Sequence, residues 1–126
     1  MTIIDTLKKW VNVELNLSKI DKNSLSSQAR YVIRWYFFGS CDACTQAMEL
    51  DDNDFLSLYR EILKYIGISN EEIEESVGVW MLDEIGNNEL EIINKGAYSF
   101  RDFKDNPNGV GGLKFCFDQF LSNNKN

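Results

Sequence analysis

Apolar residues recur at helical spacing along most of the chain. Ile4, Leu7, Trp10 and Val11, continued by Glu14 to Leu17, predict a first amphipathic helix with Asp5 and Thr6 near its start. A polar break over residues 18–27 follows. Ala29, Val32, Ile33, Tyr36 and Phe37 then keep helical spacing, while Tyr31, Trp35, Phe38, Cys41 and Met48 cover a second face. A segment apolar nearly all round is either a buried central helix or a buried strand. The third element is plainer: Asp51 to Asp54 offer N-cap carboxylates ahead of Phe55, Leu58, Tyr59, Ile62, Leu63 and Ile66, and Gly67 can close the helix in the left-handed conformation. Ser69 and Glu72 have capping-box spacing before Ile73, Val77, Trp80, Met81 and Ile85, with Gly86 as the expected stop. Leu90, Ile93, Ala97, Phe100 and Phe103 suggest a fifth helix, although Glu89 to Asn94 alternates enough to be a short strand. Asn106 to Gly112 reads as a loop, and Leu113, Cys116, Phe117, Phe120 and Leu121 as a closing helix.

The fold expected is therefore mainly α: a single-domain bundle of five or six helices over residues 1–121 with a frayed polar tail at 122–126, and an α+β arrangement with a short sheet as the alternative. A length of 126 residues and a 44% hydrophobic composition suit one domain with a real core. The start of the chain lacks the pattern of a secretory signal, and Arg34 interrupts the longest apolar run, so a soluble protein without membrane association is expected.

Charge is unevenly spread. Residues 42–91 hold fourteen acids against Arg60 and Lys64, a net −12, whereas the flanking stretches are +3 and +2. Part of this serves folding, because Glu71, Glu72, Glu74 and Glu75 fall in the first turns of a helix, where the dipole favours anions. The dipole does not account for all of the charge, and Asp51, Asp52, Asp54, Glu71, Glu72, Glu74 and Glu75 are candidates for a surface that docks a basic partner protein. Nucleic acid is disfavoured as a partner, since phosphate neutralisation requires clustered lysine and arginine.

Candidate chemistry is sparse. Without histidine the common catalytic constellations are absent, and the expectation leans away from an enzyme and from any cofactor. Three cysteines cannot close a four-ligand zinc site, so no metal is expected. Asp51 to Asp54 lack the glycine and glutamate of a calcium-binding loop. Gly109 to Gly112 could present amides to a phosphate but match neither nucleotide-binding pattern. Asp83 and Glu84 form an acidic pair that reads as surface.

Cys41-Asp-Ala-Cys44 is the exception, two thiols three positions apart. With Tyr31 to Phe38 as a strand and Gly39-Ser40 as a turn, the segment resembles the strand-turn-helix of the thioredoxin superfamily. The resemblance implies Cys41 as the attacking thiol and Cys44 as the resolving one. That family also sets a cis-proline from a later strand against the pair, whereas Pro107 lies in a polar, glycine-rich stretch. The alternative is two buried cysteines packing as small hydrophobes. An odd number of cysteines fits a reducing cytoplasm better than a disulfide-stapled secreted fold.

These readings converge on a small acidic cytoplasmic interaction protein of the adaptor, inhibitor, immunity-protein or secretion-chaperone kind. A thiol-disulfide protein is the competing class. A homodimer joined through exposed aromatics such as Trp10 or Trp80 is a third.

Overall fold

The computed structural model describes residues 3–21, 23–103 and 111–120, which form six α-helices and no strand. They are α1 (Ile3–Ser18), α2 (Ser27–Ala47), α3 (Asp52–Ile66), α4 (Asn70–Met81), α5 (Asn87–Phe103) and α6 (Gly112–Phe120). The mainly α expectation holds and the α+β alternative falls: Tyr31 to Phe38 and Glu89 to Asn94 are both helical. Most of the loop around Pro107, Leu121 and the tail lie outside the described residues.

Local chemistry sets the helix ends. Asp51 Oδ1 accepts the Asp54 amide at 2.9 Å and Asp54 Oδ2 accepts back from the Asp51 amide, a complete capping box on α3. Ser69 Oγ accepts the Glu72 amide at 3.3 Å, but the Glu72 carboxylate turns away to Arg30. Gly67 closes α3 with φ of 106°. The expected stop at Gly86 is not used. Helix α4 ends at Met81, and Asp83 takes the left-handed position with φ of 56°, while the Glu84 amide returns to the Val79 carbonyl at 2.9 Å. Gly86 instead opens α5, its carbonyl accepting the Leu90 amide and its own N–H donating to Glu89 Oε1 at 3.1 Å. Lys19 and Glu49 close α1 and α2 in the same left-handed way.

Helix α2 is apolar all round because it is packed on two sides. Toward α1 and α5, Trp10 stacks on Tyr36 and meets Phe100 and Phe103, with centroids 5.1–6.1 Å apart. Toward α3 and α4, Phe38 meets Phe55 at 4.9 Å and Tyr59 at 5.3 Å, and Trp80 closes on Phe55 at 5.4 Å. Such pairs add about 0.5–1.5 kcal/mol each beyond their buried area. The α2–α5 contact is backbone against backbone: a Cβ on Gly39 would lie 1.9 Å from the Ile93 carbonyl oxygen, and one on Gly96 1.9 Å from that of Tyr36. Between the two glycines, the Ser40 hydroxyl reaches the Gly96 carbonyl at 3.1 Å and accepts the Trp10 indole N–H at 3.0 Å.

Candidate functional site

Cys41 and Cys44 lie within the fourth and fifth turns of α2, both buried, with no strand or turn before them. The local context that the thioredoxin resemblance requires is therefore missing. Burial first, and the nearby Cys44 and Asp42 second, push the Cys41 thiol far above its ordinary range. Burial likewise pushes Cys116 up to about 12. Thiolates are disfavoured at both positions, and no disulfide occurs among the described residues.

The candidate docking acids fall into two groups held apart. Contacts of Arg60 with Glu74 and of Phe55 with Trp80 make α3 and α4 antiparallel. Asp51, Asp52 and Asp54 therefore sit at the opposite end of the pair from Glu71 and Glu72, separated by roughly the 22 Å length of a 15-residue helix. Several of these acids also hold the fold together. Glu74 receives a two-pronged contact from Arg60 at 2.8 and 2.9 Å, which holds its carboxyl below the usual range. Glu72 accepts from Arg30 at 2.8 Å, and Glu75 lies 3.5 Å from Arg34. Asp52 and Glu71 are exposed, and among the described residues neither is the N-cap of its helix nor pairs with an arginine.

Between α2, α4 and the start of α5 the structure forms a cleft of about 310 Å³, lined by Tyr31, Arg34, Trp35, Glu75, Ser76, Val79, Glu84 and Glu89. Its three carboxylates face one guanidinium. Arg34 is held by the Glu72 carbonyl at 3.0 Å and by Ser76 Oγ at 3.2 Å. Glu89 accepts the Tyr31 hydroxyl, a bond that holds its carboxyl below the usual range. Of these lining acids the sequence singled out Glu75 as a docking residue and Glu84 only as half of a surface pair; the cleft depends on α5 folding back on α2, which no local pattern encodes.

The sequence also missed Glu14. It is fully buried, and its carboxylate accepts from the Tyr36 hydroxyl at 2.6 Å, the Leu113 amide at 3.0 Å and the Gly111 amide at 3.0 Å. The Glu14 side-chain oxygens thus occupy the glycine-rich start of α6 that could otherwise cradle a phosphate. Trp10 is fully buried and is not an exposed aromatic; Trp80 is half-buried with one face on Phe55, and Tyr98 and Phe115 are more exposed.

Among the described residues no group of three acids or cysteines is placed to hold a metal ion, and no helix is long and apolar enough to cross a membrane. Comparison with protein-family models, with curated proteins and with solved structures yields no match to this chain.

Proposed function

We propose that the chain is a protein-interaction module that presents the acidic surface of α3, α4 and the α4–α5 connection to a basic partner protein, as an adaptor, inhibitor, immunity protein or secretion chaperone does. One observation carries the reading. All fourteen acids of residues 42–91 are exposed or half-buried, while the same stretch contributes only Arg60 and Lys64 in return. Arginines from α2 neutralise Glu72 and Glu75 but leave both ends of the α3–α4 pair acidic. Such a field speeds encounter with a basic surface and selects against acidic ones. Three buried cysteines suit a reducing compartment and with it a cytoplasmic location. Capture from the native cell at low and at high salt tests the proposal: a basic protein retained at low salt and shed at high salt supports it, and retention indifferent to salt counts against it.

A further inference from the structure

We propose that the outer face of α5, with the exposed ring of α6 beside it, docks a second copy of this chain in a two-fold symmetric dimer. The proposal goes beyond the docking reading, because this face is turned away from α2 and from the helices packed on the far side of α2. A Cβ on Gly96 would meet the Tyr36 carbonyl of α2, and Tyr98 stands roughly 200° further round α5, on the opposite side of the helix. Lys95 and Asp102, three positions before Tyr98 and four after it, share its stripe.

Two observations single out this face and its occupant. The first is aromatic surface gathered in one place. Tyr98 is 63% exposed and Phe115 52%, and both line a groove of about 270 Å³ between α5 and α6, together with Lys95 and Asp102. Apolar side chains scattered singly over a surface are ordinary, whereas two large rings on one groove have the composition of an interface. The second is the placement of charge. Lys95 and Asp102 lie about 10 Å apart along the helix, one on each side of Tyr98, and Lys95 Nζ rests 4.4 Å from the centre of the Phe115 ring. A uniformly basic or uniformly acidic partner would gain from one of these two charges and be repelled by the other. A second copy gains from both. A two-fold axis crossing α5 beside Tyr98 runs the two α5 helices antiparallel, so that Lys95 of each copy opposes Asp102 of the other and the Tyr98 rings meet near the axis. The face is thus complementary to its own two-fold image.

Sedimentation equilibrium of the full chain, from micromolar to about millimolar concentration, tests the proposal. The expected result for the native protein is a concentration-dependent monomer–dimer equilibrium. Lys95→Glu and Asp102→Lys each set like charges opposite one another twice per dimer, and each should raise the dissociation constant by about tenfold or more. Tyr98→Ala should weaken the dimer through loss of the central ring. Two combinations then restore complementarity. The double variant Lys95→Glu, Asp102→Lys reverses both charges, and an equimolar mixture of the two single variants places opposite charges at both contacts of a mixed dimer. Each should dimerise with a dissociation constant within about threefold of the native value. The mixture also guards against a variant that weakens association by disturbing its own fold, because such a variant is not rescued by its counterpart. A native protein that stays monomeric up to about millimolar concentration overturns the proposal. So does a dimer that either single charge reversal leaves unchanged, and so does failure of both the double variant and the mixture to recover association.

Discussion

Glu14 in α1 caps α6 across ninety-nine positions of sequence: its Oε1 accepts the Leu113 amide at 3.0 Å, and the same carboxylate holds the Gly111 amide and the Tyr36 hydroxyl. The carboxylate thereby joins the first, second and last helices. Glu14→Ala leaves three donors without their acceptor and should cost about 4 kcal/mol or more, whereas Glu14→Gln keeps one acceptor oxygen and should cost about 2 kcal/mol. Urea unfolding measures both. Amide exchange should show α6 losing protection first, and uniform loss across all helices would contradict the capping role.

The glycines of the α2–α5 contact differ in kind from Gly78. A methyl at Gly96 must fit where the Tyr36 carbonyl oxygen is 1.9 Å away, while one at Gly78 meets nothing within 4 Å. Gly96→Ala should therefore destabilise by about 3 kcal/mol through forced separation of the helices. Gly78→Ala should stabilise by about 0.5–1 kcal/mol through helix propensity. Thermal melts of the two variants check the opposite signs.

Glu49 and Asp83 hold left-handed positions, each with φ of 56°, that glycine adopts without steric cost. Glu49→Gly should raise stability by up to about 1 kcal/mol, and Asp83→Gly by less, because aspartate tolerates this conformation better. A loss of stability in both would show that the side chains make contributions that outweigh the backbone relief.

Burial raises the titration points of Tyr31, Tyr36, Tyr59, Cys41 and Cys116. These groups stay protonated in the native state at pH values where the unfolded chain has lost their protons. Their contribution is fully present below the unfolded values, near 8.5 for cysteine and 10 for tyrosine, and is lost as pH rises toward the folded values. Stability should fall above about pH 8.5, approaching ~1.4 kcal/mol per pH unit for each group ionised when unfolded. Tyr59→Phe should make the decline shallower by about one proton above pH ~10, as read from urea melts across the alkaline range. An unchanged slope would contradict the assignment.

What could be read from the sequence was what neighbouring residues decide. Asp51, Asp54 and Gly67 cap α3 through bonds to residues within a few positions, so their pattern is sufficient. Gly86 was legible as a helix boundary but not as to which helix it serves, because a glycine suits an end and a start alike, and Glu89 settles the matter by bonding back to it. The character of Tyr31 to Phe38 stayed open because a helix packed on both sides loses the periodicity that distinguishes it from a strand. Glu14, Gly39 and Gly96 act only through partners far along the chain. The Arg34 cleft depends on the same long-range packing of α4 and α5 against α2.

The docking proposal is tested most directly by stopped-flow association of the basic partner with the native protein and with the double variant Asp52→Lys, Glu71→Lys, across a range of salt concentrations. Both residues are exposed, at opposite ends of the α3–α4 pair, and each substitution should cost only about 0.3–1 kcal/mol of stability through the helix dipole. The association rate should fall by about tenfold at low salt, with a shallower salt dependence and a largely unchanged dissociation rate. An association rate that matches the native protein's at every salt concentration would contradict the proposal.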